Sequence, residues 1–432
     1  MTQGNDSIPN RRGLLALSPA FVFLILYVVV SLVIGDFYVM PITVALLAAS
    51  VWGIIITRGL PLGGRIEAFS KAAAHSNILY MVWIFVLAGS FAALAKGIGA
   101  IDATVALTLN FFPASFLLPA IFAAACFISM SIGTSVGTVV ALVPLIVELA
   151  HTGGANIPLY VATALGGAFF GDNLSFISDT TIAATRTQGC NMADKFNANF
   201  RIVLPAALIT LALYIMLGHE VEMTAPASDN PWWLVIPYLV IIVVALCGIN
   251  VTVVLLLGIV CSMLLGLFRG VGLLDQCRLM GEGIDSMGNL IIITLLASGM
   301  LGLIKNNGGI DYLLQRLTRN IHGSRGAQGC IAVLVGLVNL CTANNTVAIL
   351  TVGSISKNIS TQYGIAPRKT ASLLDTASCI VQCLIPYGAQ TLLATGLAGI
   401  SPASPWPYLY YPWALTVCLI ISIIVKSRKN AA

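Results

Sequence analysis

The chain has 432 residues, 58% of them apolar and 9% charged, with a mean hydropathy of +0.96 and a formal charge of +5. Such a balance excludes an ordinary water-soluble domain, which needs far more polar surface. Its lysines and arginines stand singly between apolar runs, which excludes a nucleic-acid patch, and its ten cysteines form no CxxC pair or Cys/His cluster, which excludes a zinc site or disulfide framework.

A membrane-spanning helix needs about 20 mostly apolar residues. Runs of that kind recur at 14–34, 39–57, 77–95, 157–184 and 200–217, and again at 231–248, 249–268, 289–304, 370–400 and 407–425. The first follows Arg11 and Arg12 and is too long for a cleaved signal, so it reads as a retained span. Each half also carries an apolar stretch broken by polar residues: Ser129 to Gly137 within 114–150, and Cys341 to Thr346 within 327–357. These predict re-entrant helical hairpins, with Gly133, Thr134 and Ser135 at one tip and Asn344, Asn345 and Thr346 at the other.

Sliding the sequence against itself by about 209 positions lays Lys96-Gly-Ile-Gly-Ala-Ile-Asp102 on Lys305-Asn-Asn-Gly-Gly-Ile-Asp311. It also lays Ile42-Thr43-Val44 on Val251-Thr252-Val253, and a nearly equal shift lays Pro205 on Pro412. Five spans and one hairpin per half make the crossing number odd. The expected fold is therefore an all-α polytopic membrane protein built from two inverted-topology repeats, 1–218 and 231–432, joined by an external linker at 219–230.

Basic residues support that orientation, since cytoplasmic loops collect Lys and Arg. With both termini cytoplasmic, every Lys and Arg, Lys195 and Arg201 included, falls inside except Lys96, Arg269 and Arg278. The expected location is the bacterial inner membrane, and membrane lipid is an expected partner.

Carboxylates at membrane depth usually mark an ion or proton path, because each costs roughly 2.5 to 3.5 kcal/mol to insert. Asp172, Asn173, Ser175, Ser178, Asp179 and Thr180 crowd into one span, and Asp375 lies in its counterpart. Helix caps at a membrane surface are the competing reading of Asp172 and Asp179. For Asp375 it is a pairing with Arg368 and Lys369 near the cytoplasmic face. Glycines 166, 167 and 171 weaken the helix just before the polar patch and would allow an unwound segment facing a cavity. Neutral oxygens at the hairpin tips (Ser131 and Thr138 beside the first, Thr342 beside the second) suit a hard cation, whereas close packing through small residues is their alternative role.

Gly171-Asp-Asn-Leu-Ser-Phe-Ile-Ser-Asp-Thr-Thr181, together with Ile128-Ser-Met-Ser-Ile-Gly-Thr-Ser135, resembles the NhaC-type sodium/proton antiporters nearly end to end. That resemblance implies exchange of sodium for protons by alternating access, and some relatives couple it to malate and lactate exchange. Members differ between Asn and Lys after the first aspartate, and this chain has Asn173. Sodium is expected at Asp172 and Asp179, which would release protons as it binds. A malate/lactate-type exchanger is the alternative, disfavoured because no basic residue is expected at the midplane. No nucleotide fingerprint or catalytic triad is present, so neither a cofactor nor an enzymatic activity is expected. The sequence leaves a homodimer open. Of the four histidines, His75 is the candidate pH sensor, and Trp and Tyr residues 232, 233, 406, 408, 410, 411 and 413 read as an interfacial belt.

Overall fold

The structure is a computed structural model that describes residues 10–30, 40–104, 114–175, 178–218, 231–247, 249–318 and 321–425. The expected linker at 219–230 and His219 lie outside the described residues. All regular structure among the described residues is helical. The first half comprises α1 (Asn10–Leu24, continued by a π turn, Ile25–Val29), α2 (Ile42–Ile56), α3 (Leu62–Ala73), α4 (Ser76–Gly97), α5 (Leu117–Ile132) and α6 (Ser135–Thr152). It closes with α7 (Ile157–Leu174), α8 (Asp179–Gln188) and α9 (Met192–Gly218). The second half comprises α10 (Ile236–Leu246), α11 (Val251–Phe268), α12 (Leu273–Ser286), α13 (Gly288–Asn306), α14 (Gly309–Thr318) and α15 (Gly323–Thr342). It ends with α16 (Asn345–Gln362), α17 (Pro367–Leu384), α18 (Ala389–Ala398) and α19 (Tyr410–Ile424).

Six helical stretches among the described residues are long and apolar enough to cross a bilayer, and shorter apolar helices accompany them. Large apolar side chains stand exposed on the outward faces of α2, α9, α11 and α19, as a lipid-facing surface requires. The chain is thus a multi-pass, all-helical membrane protein.

Two expected spans are not continuous. The run 157–184 divides into α7 and α8, with Ser175 and Ser178 extended, and the run 370–400 divides into α17 and α18, with Ile385 extended. Hydropathy alone misses such breaks, because the intervening residues are as apolar as the helices. Glycines 166, 167 and 171 are not the cause, since α7 runs unbroken through all three. They let α5 lie against α7: a Cβ on Gly171 would collide with Ser129 and the Met130 backbone nitrogen, and one on Gly167 with Ala125 and the Phe122 carbonyl.

Element bounds recur 210 residues apart: α7 maps onto α17 at both ends, α8 and α18 start in register, and so do α6 and α16. The link between α5 and α6 turns at Gly133 (φ 76°) and Thr134, and that between α15 and α16 turns at Ala343 (φ 48°) and Asn344. Even the pins correspond, since Ser129 Oγ donates to the Ala168 carbonyl (2.5 Å) and Asn339 Nδ2 to the Ser378 carbonyl (2.8 Å). Each pin ties the first arm of a helix pair to the helix that breaks. The short helix after each break then packs on the second arm of the opposite pair, α8 on α16 and α18 on α6. Both breaks and both tips are thereby gathered in one interior region.

Tyr411 departs from the expected aromatic belt. It is buried, with its ring 6.0 Å from Phe122 and 6.2 Å from Phe170, whereas Trp232 and Trp413 are exposed as a belt requires. His75, His151 and His322 are all exposed.

Candidate functional site

Asp172 sits in the last turn of α7, 5% exposed, just before the chain leaves the helix. Its two carboxylate oxygens are held from different elements: Ser178 Oγ donates to Oδ1 (2.8 Å) from the break, and Ser135 Oγ donates to Oδ2 (2.9 Å) from the first turn of α6. Ser135 in turn accepts from Gln390 Nε2 (3.0 Å) at the start of α18. Gln382 Nε2, in the last turn of α17, lies within hydrogen-bond reach of Gln390 Oε1 (3.0 Å) and of the Ala343 carbonyl (3.1 Å). A single polar chain therefore links Asp172, both tips and both breaks.

A second cluster adjoins it. Lys195, near the start of α9, is 1% exposed and places its ammonium 2.5 Å from Asp375 Oδ2, itself fully buried. The same ammonium donates to the Asn173 carbonyl (2.8 Å) and to Thr181 Oγ1 (2.6 Å), so its three donors are all engaged. Asn199, one turn further along α9, donates from Nδ2 to Asp375 Oδ2 (2.8 Å) and to the Asn173 carbonyl (2.9 Å). The carbonyl that the break frees near the end of α7 is thus satisfied from α9.

Lys195 overturns two expectations. It is not in a cytoplasmic loop, and the interior does hold a basic residue, because α9 begins at Met192, well before the apolar run at 200–217, and carries its first turns inward. Asp375 likewise does not pair with Arg368 or Lys369. Its partner was hidden in a segment that hydropathy ranks as loop. A helical signal was nevertheless available: Lys195, Asn199, Ile202, Val203, Ala206, Thr210 and Tyr214 share one buried stripe of α9.

The other expected residues divide. Asn173, Ser175, Ser178 and Thr180 are buried, and Ser178 Oγ lies 2.8 Å from Thr180 Oγ1. Asp179 does not join them. As the first residue of α8, following an extended Ser178, it is exposed and takes part in neither hydrogen bond to Asp172. Among the tip residues, Ser135 is the one that hydrogen-bonds Asp172. Gly133 supplies the left-handed turn, Thr134 is half-buried, Asn344 caps α16 by accepting from the Val347 backbone nitrogen (3.0 Å), and Asn345 Oδ1 accepts from the Thr346 nitrogen (3.0 Å). Gln382, Gln390, Lys195 and Asn199 were not anticipated.

Burying a charge without a partner is costly, so buried charges are counted in pairs. Lys195 and Asp375 form a neutral unit, whereas Asp172 belongs to none of the ion pairs among the described residues. One negative charge remains, surrounded by hydroxyl oxygens. Asn173 Oδ1, Asn199 Oδ1 and Gln382 Oε1 are buried acceptors without a hydrogen-bond partner. Neutral oxygens of this kind, in the same interior as the carboxylate, suit a hard monovalent cation or a proton.

The sequence profile of the Na+/H+ antiporter family matches residues 13–219 and 223–426. The Na(+)/H(+) antiporter NhaC of Bacillus subtilis is 25% identical over 77% of this chain and 80% of its own length. The Malate-2H(+)/Na(+)-lactate antiporter of the same organism is 22% identical over 93% of each. Among solved structures, the YdaH transporter of Alcanivorax borkumensis aligns with 96% of this chain and 98% of its own at 15% identity, with a TM-score of 0.40.

Proposed function

Because the chain belongs to the Na+/H+ antiporter family, we propose that it exchanges sodium for protons across a membrane, with Asp172 as the group the two cations share. The observation that carries this is a buried carboxylate, held by Ser135 and Ser178, that belongs to none of the ion pairs among the described residues. In a low-dielectric interior a bare carboxylate is unfavourable, so either a sodium ion or a proton must accompany it through the buried state. Competition for one carboxylate is enough to couple the two fluxes. With Lys195 and Asp375 already neutral as a pair, one cation at a time balances the site.

The two halves are best taken as inverted-topology repeats, 1–218 and 231–432, whose α5–α6 and α15–α16 pairs act as re-entrant hairpins. Alternating access then follows when the breaks and tips move as one body relative to the rest. An inner-membrane location with cytoplasmic termini accords with the placement of the basic residues. Asp179, exposed beside the break, serves to draw cations toward the site and not to bind them there.

Organic-acid exchange is the second reading, favoured by the malate/lactate relative. Against it, the buried ammonium of Lys195 has no donor left for a substrate carboxylate.

The test is proton movement in proteoliposomes after addition of sodium, malate or lactate, comparing wild type with Asp172→Asn. Sodium alone should move protons in the wild type, and the variant should fall to the background of empty vesicles. Exchange retained by a folded variant would remove Asp172 from the site. A wild-type response requiring malate or lactate would replace the antiporter with the organic-acid exchanger.

A further inference from the structure

Lined by none of the residues that hold Asp172, a cavity of about 900 Å³ opens where the start of α9, the starts of α15 and α17 and the end of α19 meet. Its polar wall is cationic. Arg201, Arg325, Arg368 and Lys369 line it against a single acidic residue, Asp194, and His322 stands at its edge. The three arginines are exposed and take part in none of the ion pairs among the described residues. Lys369 Nζ is held at the wall by Ser422 Oγ (3.0 Å).

Two long helices also begin there. The caps of α15 and α17, His322 and Ala366, give no side-chain hydrogen bond to the first turn, so both helices present the positive end of the helix dipole; α15 adds first-turn N–H groups, whereas in α17 Pro367 has none and the Lys369 N–H donates to the Ala366 carbonyl. Four basic side chains and two helix N-termini converging on one cavity make a site for a phosphate-bearing anion.

Apolar residues of the lining decide the source of that phosphate. Ile202, Ile365, Ile423 and Val425 also line the cavity. From Val425 an exposed apolar strip continues along α19 through Ile424, Ile421, Ile420 and Val417, each at least half exposed. A free phosphate has no use for that strip, whereas acyl chains attached to a headgroup would cover it. We propose that this cavity binds the phosphate headgroup of an anionic membrane lipid, with its chains lying on α19.

Each basic residue near such a headgroup contributes on the order of 1 kcal/mol. Removing three arginines should therefore weaken binding roughly hundredfold. The experiment uses the full chain, purified in neutral detergent and stripped of lipid. Thermal unfolding is followed during titration with phosphatidylglycerol, phosphatidylcholine or inorganic phosphate, and bound lipid is counted by native mass spectrometry. Phosphatidylglycerol should raise the midpoint and remain bound, phosphatidylcholine should do neither, and the triple variant Arg201→Gln, Arg325→Gln, Arg368→Gln should need roughly a hundred times more lipid for the same shift. The triple Lys variant at the same positions retains the charge and should respond nearly as the wild type, which separates lost binding from lost folding. An equal response to inorganic phosphate would overturn a lipid as the occupant. No preference for phosphatidylglycerol, or an unchanged response in the Gln variant, would overturn the site itself.

Discussion

The two broken helices share their bounds but not their chemistry. Position 172 in α7 is an aspartate, and the position 210 residues later in α17 is Gln382. Both side chains sit in the final helical turn and bond into the polar chain between the tips, Asp172 through Ser135 and Gln382 through Gln390 and the Ala343 carbonyl. Only the first carries charge. The acid of α17, Asp375, lies two turns earlier, where the first half supplies Lys195 to cancel it. Two stretches with matching helix bounds thus hold one carboxylate outside the ion pairs, which fits a site that takes one cation at a time better than a symmetric pair would.

The most severe way to erase that difference is Asp172→Gln, which gives both halves the same neutral amide. Sodium-driven proton flux in proteoliposomes should drop to background, while Gln382→Ala leaves measurable exchange. Loss of exchange in Gln382→Ala with retention in Asp172→Gln would reverse the roles of the halves. Next in size are variants of the cancelled acid. Lys195→Met strands Asp375, and Asp375→Leu strands Lys195, each at a cost of about 3–5 kcal/mol. The double variant Lys195→Met, Asp375→Leu should recover much of that loss, because it buries no unpaired charge. Thermal unfolding of all three in detergent tests the coupling, and simple additivity would mean that the pair is not a unit.

Much of this frame was legible before any coordinates. The matched strings near residues 96 and 305 set the register within one residue of the 210-residue spacing of the helices, and the polar patches at 129–137 and 341–346 lie where α5 and α15 turn into their partners. Asp172 stood out because an acid in an apolar run needs a reason. Lys195 did not, since Met-Ala-Asp-Lys-Phe-Asn-Ala-Asn-Phe is polar enough to pass for a loop, and burial there arises from packing against α17, which hydropathy cannot see. The exposure of Asp179 was hidden for a related reason. Spacing along a continuous helix would keep it near Asp172, but α7 ends at Leu174 and a new helix starts at Asp179, with Ser175 and Ser178 extended, so the helical phase is not carried across.

Smaller changes sharpen the comparison. Ser135→Ala removes the donor to Asp172 Oδ2 and the acceptor for Gln390. A hydrogen bond to a charged group contributes about 1.5–3 kcal/mol, so the sodium concentration for half-maximal flux should rise about tenfold or more. An unchanged value would detach the first tip from the site. At the turns, Gly133 has φ 76° where the other half tolerates Ala343 at φ 48°. Gly133→Ala should destabilise by about 1–2 kcal/mol, seen as a lower unfolding midpoint, whereas Ala343→Gly should not.

The smallest effect is expected at Asp179, the residue whose sequence most suggested otherwise. It is exposed, starts a new helix and joins neither bond to Asp172. An exposed charge acts on an approaching cation mainly through a field that salt screens, with a Debye length near 10 Å at 0.1 M. Asp179→Asn should therefore keep full exchange at saturating sodium and raise the half-maximal concentration by no more than about threefold at low ionic strength. That increment should vanish when choline chloride raises the ionic strength at constant sodium. If Asp179→Asn instead abolishes exchange at every sodium concentration, the cation is bound between both aspartates, and the site extends across the break into α8.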